Sequence, residues 1–214
     1  GLSGKISGAG ANSGLEFKGW RMITLSGSNT YTGITSLADS SIVALGFSAT
    51  TGTNIISNSS ALVMRDTSQL ILNGAANVAC VQTFNGLTLN PGALKITMNN
   101  GSGTGTLTLN LGAITHNAGG TLNFNNIPMT SGTVATTTNA NVNGILGTWA
   151  SVGTGSPGAT GANMAISLHY ATVNENGQIV SYTGGTQITG GASLITETTG
   201  TGNYDVVITS STTI

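Results

Sequence analysis

Leu70-Ile71-Leu72-Asn73 is the phrase that decides the fold, because it returns as Leu87-Thr88-Leu89-Asn90, Leu107-Thr108-Leu109-Asn110 and Leu122-Asn123-Phe124-Asn125. Each copy puts two apolar side chains on one face of an extended segment. The closing asparagine tolerates the left-handed backbone region and so offers a turn. The starts at 70, 87, 107 and 122 are spaced unevenly, at roughly 15 to roughly 20 residues, within reach of the short repeats that stack into solenoids. Strands this short cannot bury a face alone. They gain a core only by stacking on neighbours, inside the molecule or between molecules.

Working outward, period-two alternation continues in Leu15-Glu16-Phe17-Lys18, Leu94-Lys95-Ile96-Thr97-Met98, Ile166-Ser167-Leu168-His169-Tyr170 and Tyr204-Asp205-Val206-Val207-Ile208. Glycine or β-branched residues interrupt every window that could carry a helical period. Turns fall at Asn90-Pro91-Gly92, Asn99-Asn100-Gly101, Ala118-Gly119-Gly120, Glu175-Asn176-Gly177 and Thr183-Gly184-Gly185. Asn176-Gly177, between Tyr170–Val173 and Gln178–Tyr182, predicts a hairpin with a type I′ turn. The chain therefore reads as one elongated all-β domain over residues 1–214. Its sub-regions are 1–60, 61–147 and 163–214, with a glycine-rich loop around Pro157 at 148–162. The strands suit a stacked β-sheet solenoid, and their uneven spacing leaves a β-sandwich as the alternative.

Charged residues make up 5% of the 214, against about 25% in an average protein. With Lys+Arg 5 and Asp+Glu 6, no basic stripe exists to neutralise phosphates or anionic lipid, which argues against nucleic-acid and membrane-surface partners. No apolar stretch approaches the roughly 20 residues of a membrane helix. Between Lys95 and Glu175 there is no formal charge, which suits a packed stack with asparagine and threonine ladders. The 33 glycines fit small turns better than disorder, because hydrophobic residues reach 38% and are patterned. The single cysteine, Cys80, lies in an apolar run and reads as a buried small hydrophobe. Opening at Gly1 without a leader, the chain reads as a mature or excised segment.

Catalysis on such a scaffold needs paired carboxylates, acidic clusters or a metal. Glu16, Asp39, Asp66, Glu175, Glu197 and Asp205 form no close pair in sequence, Arg65-Asp66 reads as a solvated local pair, and His116 and His169 stand alone. We therefore expect no enzyme, no cofactor and no metal. Trp20, Trp149 and Tyr31 could stack on sugars but are expected to anchor local core. Asn58-Ser59-Ser60 and Asn100-Gly101-Ser102 fit the glycosylation pattern, making Asn58 and Asn100 the acceptors. The uncharged, proline-free tail from Asn203 alternates Tyr204, Val206 and Ile208 before the terminal Ile214, and is expected to add a strand to a neighbouring subunit.

Ile23-Thr24-Leu25-Ser26-Gly27-Ser28-Asn29-Thr30-Tyr31-Thr32-Gly33-Ile34-Thr35-Ser36-Leu37 resembles the autotransporter-associated β-strand repeat, most closely from Leu25 to Thr35. Ile145–Val152, Tyr170–Val173 and Gly177–Thr183 are similar to segments of large secreted bacterial proteins carrying such repeats. The resemblance implies an extracellular or cell-surface right-handed β-solenoid and brings no catalytic residues. Two roles follow as expectations. One is a self-assembling fibre or surface building block whose partner is itself, and the other is a passenger or adhesin module that binds glycans or surfaces.

Overall fold

The structure is a computed structural model that describes residues 1–8, 13–127, 132–154 and 167–184. In chain order its strands are β1 (Leu15–Phe17), β2 (Met22–Leu25), β3 (Thr35–Leu37), β4 (Ile42–Gly46), β5 (Leu62–Met64), β6 (Gln69–Asn73), β7 (Ala79–Thr83) and β8 (Leu87–Leu89). They continue as β9 (Gly92–Asn99), β10 (Thr106–Asn110), β11 (Ile114–His116), β12 (Gly120–Asn125), β13 (Thr133–Thr136), β14 (Ala150–Thr154), β15 (Ser167–Val173) and β16 (Ile179–Ser181). No helix occurs among the described residues.

Three faces wind into a right-handed β-solenoid of about four turns, the hand that parallel crossovers take. The first face stacks β1-β3-β5-β8-β11, the second runs β2-β4-β6-β9-β12-β14, and the third stacks β7-β10-β13. The β-sandwich is thereby set aside. The four LxLN-type phrases fall on every second strand (β6, β8, β10 and β12), and so on different sides of the coil rather than on successive rungs, which explains their uneven steps. The true rung is longer. Thr35, Leu62, Leu87 and Ile114 stack in register, a repeat of about 26 residues that lies within the usual solenoid range. The first rung is shorter, with Leu15 under Thr35 and Met22 under Ile42. Thr35↔Leu62 pairing also carries the stack straight across the expected boundary at residue 60.

Period-two alternation now acquires a direction. On the second face Val43, Leu70, Ile96, Phe124 and Val152 lie in one inward column, and Leu45, Leu72 and Met98 in another. Phe17, Leu37, Met64 and Leu89 form a column on the first face, while Cys80 and Leu107 begin one on the third. All are buried and belong to one continuous core. Each such side chain contributes about 1.5–3 kcal/mol by leaving water, and only because the next rung covers it.

Outside, polar side chains bond along the axis. Asn99 Nδ2 donates to Asn73 Oδ1 at 2.9 Å and Asn126 Nδ2 to Asn99 Oδ1 at 3.0 Å. Thr83, Asn110 and Thr136 form a parallel ladder on the third face. Where strands are missing, carboxamides stand in for a peptide group, since they carry one donor side and one acceptor in the same plane. Buried Gln82 accepts from Ile56 N at 3.2 Å and donates to Ile56 O at 2.8 Å. Asn139 pairs in the same two-point way with Ile114, in the last strand of the first face.

The two ends of the stack differ. β14 pairs antiparallel with β15, and β15 with β16, so parallel growth stops there. Thr137 N donates to Gly177 O, and Asn141 bonds both backbone groups of Val173, so this hairpin lies against the last turn and buries Ala171 and Ile179. The hairpin was expected, but not its turn. Within it only Gly177 takes positive φ, because Asn174 Oδ1 accepts from both Asn176 N and Gln178 N and fixes a longer turn than type I′. The loop expected over 148–162 contains β14 at 150–154, since Phe124 offers Val152 a column to join. Residues 155–162 lie outside the described set.

Phe124→Ala, which opens a void in an inward column, is expected to cost about 3–5 kcal/mol. Asn99→Ala, which cuts an exposed ladder, should cost about 1 kcal/mol. Urea unfolding of the two variants measures both, and equal losses would contradict the assignment of stability to the columns.

Candidate functional site

The repeat-like stretch Leu25–Thr35 forms the third side of the first rung. Asn29 Oδ1 accepts from Ile6 N at 2.8 Å, and its Nδ2 donates to Gly27 O and Ile55 O at 2.9 and 2.8 Å, tying three chain segments together. Tyr31 is buried, and its hydroxyl meets Thr35 Oγ1 at 2.7 Å. A hydroxyl chain continues through Ser60 Oγ to Gly33 O. Burial pushes the Tyr31 pKa up from its ordinary value. Gly27 and Gly33 sit where an added Cβ would strike neighbouring backbone. The motif is therefore architectural, and the expectation for Tyr31 as a core anchor holds.

Trp149 is half-buried and packs against the core, with its indole stacked on the His116 ring at 4.9 Å between centroids and 8° between planes. His116 ends the Phe17–Leu37–Met64–Leu89 column, so the pair closes that column at its last rung. His116 Nε2 lies 2.8 Å from Gly120 O. Cys80 is buried, with its Sγ accepting from Ala75 N. Among the described residues no three His, Cys, Asp or Glu side chains gather in a way that could hold a metal.

Trp20 departs from expectation: it is 86% exposed. Both flanks of the first rung carry the same offset from the second (Phe17↔Leu37, Met22↔Ile42), so the corner 18–21 lies under the corner 38–41 and Trp20 under Ser40. That position points away from the core. Glu16, Lys18, Arg21, Asp39, Arg65 and Asp66 surround this edge between the first and second faces. Arg65 Nη2 reaches Glu16 Oε1 at 2.6 Å from two rungs away, Lys18 Nζ lies 3.1 Å from Glu16 Oε2, and Arg65 Nη1 lies 3.3 Å from Asp66 Oδ2. Asp66 Oδ2 also accepts from Asp39 N, and Ser40 Oγ meets Thr67 Oγ1 at 2.6 Å. Arg65 first, and Lys18 second, hold the Glu16 carboxyl below its ordinary value of 4.5. Sequence reading treated Arg65-Asp66 as a local pair and missed that the coil brings Glu16 and Asp39 to it. Gly19-Trp20-Arg21, an apolar ring between a turn residue and a cation, was the available signal.

Asn58 lies in an exposed turn, though Ser60 of its triplet is buried and hydrogen-bonded. Asn100 is half-buried and donates through Nδ2 to Gly105 O at 2.7 Å. Tyr204, Val206, Ile208 and Ile214 lie outside the described residues.

Comparison with known proteins adds one relative. Over 99 residues, 46% of this chain, the sequence is 43% identical to Adhesin BmaC autotransporter of Brucella suis biovar 1 (strain 1330). The match takes in 3% of that much longer protein. No family model matches the chain, and no solved structure matches it. The solenoid and this partial likeness fit autotransporter passenger-like proteins, without assigning a particular repeat family.

Because folding lowers the Glu16 pKa from 4.5, its ion pairs support the first rung fully above that value, and the support is lost as the pH falls below it through the lowered folded value. Amide exchange in β1 should therefore accelerate as the pH falls below about 4.5, once corrected for intrinsic rates, and Glu16→Gln should remove that pH step. A step that persists in Glu16→Gln would contradict the role of these pairs.

Proposed function

We propose that this chain is a non-enzymatic adhesin-type passenger module, displayed outside the cell, whose solenoid presents a rigid, nearly uncharged surface to glycans or other surfaces. The observation that carries this reading is the 43% identity over 99 residues to an autotransporter adhesin, set on a solenoid. The physical chemistry agrees. A stack braced by inward columns and axial amide ladders is a stiff spacer that needs neither charge nor disulfides, and Cys80 is its one cysteine. Stiff modules lose little conformational entropy on binding, which suits repeated weak contacts.

Beads coated with the 214-residue chain should be retained on immobilised glycans or extracellular-matrix surfaces in a saturable way. Retention no better than that of albumin-coated beads would overturn the reading, as would turnover of a polysaccharide. Regular filaments in negative stain without surface binding would replace it with a homopolymer.

A further inference from the structure

The chain holds few charged side chains (Lys+Arg 5, Asp+Glu 6), and six of them meet at one edge of the solenoid. Glu16 in β1 and Lys18, Arg21, Asp39, Arg65 and Asp66 in the first three corners between the first and second faces make three positive and three negative groups. Beside them stand the two most exposed large apolar residues at this end, Trp20 at 86% and Met22 at 61%.

Exposure at the end of a stack has a trivial source, the lack of a rung below. That accounts for Leu2, which lies under Leu25 in an inward column. It does not account for Trp20 and Met22. Met22 stacks under Ile42, which precedes the inward Val43, and so faces sideways. Trp20 underlies Ser40 at the outer corner. Another rung beneath would leave the indole open to the flank.

We propose that this corner is a saccharide-binding site for an uncharged glycan, with Trp20 as the stacking platform and Arg21, Asp39 and Asp66 as hydrogen-bond partners for hydroxyls. An open indole face offers sugar C–H groups an apolar, electron-rich surface. Fixed carboxylates and a guanidinium give the charge-assisted hydrogen bonds that orient hydroxyls. The Asp66 carboxylate is tied to Arg65 and to Asp39 N, and Asp39, Ser40, Asp66 and Thr67 repeat the same left-handed backbone (φ 51, 61, 61 and 32°) on adjacent rungs. Equal numbers of opposite charges leave the corner with no net charge to attract a polyanion, so the fitting ligand is neutral rather than a sulfated or uronic chain. The site rests on the glycan-binding part of the proposed function and gives it a place.

An array of neutral hexose and N-acetylhexosamine oligosaccharides, alongside sulfated and uronate glycans, tests the proposal on the whole chain. Wild type should bind neutral glycans with affinity insensitive to salt, and Trp20→Ala should weaken binding about tenfold or more, as truncated tryptophan anchors do. Asp39→Asn with Asp66→Asn should weaken it less, and Trp149→Ala should leave it unchanged. Circular dichroism of Trp20→Ala should match wild type, because the ring stands largely in solvent. Neutral-glycan binding untouched by Trp20→Ala would overturn this site while leaving the adhesin reading intact. Salt-sensitive binding confined to acidic glycans would overturn the ligand class. A dimer dispersed by Trp20→Ala, with no glycan bound, would make the corner a self-contact instead. Failure to bind any surface would remove the adhesin reading along with the site.

Discussion

In-register parallel pairing between rungs is the interaction on which the rest of the molecule depends. Because side chains alternate along a strand, a one-position slip would send every inward column to the solvent face. Leu70 over Val43 and under Ile96 is therefore one condition that fixes many positions at once. The corners must absorb whatever length differences remain. Positive φ at Asp39, Ser40, Asp66, Asn77 and Asn126 shows where they do so, and asparagine and aspartate take that conformation at little cost. The outer ladders follow from the same register, since Asn73, Asn99 and Asn126 can meet only if the rungs repeat in step.

A stack of parallel strands must also stop, because an open sheet edge invites further pairing. At its C-terminal side this one changes strand direction in β15 and β16 and closes the remaining edges with Asn139, Asn141 and the His116–Trp149 stack. Towards the N-terminus Leu2 continues the stack with a parallel bridge to Leu25 of β2, and Ile6 is held by Asn29, while Glu16, Lys18 and Arg65 brace β1. The chain thus concentrates much of its scarce charge on the first three rungs and holds the later rungs largely by amide and hydroxyl contacts.

Local alternation and turn chemistry made the strands legible in the sequence. Leu94–Met98 and Leu107–Asn110 form strands as the pattern implies, and a hairpin forms around Asn176-Gly177, though with a longer turn than type I′. The rung length was not legible, because the LxLN phrases mark strands on all three faces, and phrases on one face sit two rungs apart, as Leu70 and Leu122 do. A period-two pattern tells which side of a strand is buried, but not which strand comes next to it. The charged corner was hidden for the same reason. Glu16 and Arg65 are far apart in the chain and in contact only once the coil is wound. Trp20 was expected in the core because an apolar ring in a short strand-rich segment is more often inward, whereas here it sits on a corner.

Spin labels on Val63→Cys and Thr88→Cys, in a Cys80→Ala background, test the rung register most directly. These outward positions are direct neighbours on β5 and β8, although a whole rung of chain separates them in sequence. The register predicts strong dipolar and exchange broadening from labels on strands about 5 Å apart. Narrow, uncoupled spectra for that pair would contradict the stacked solenoid at its root.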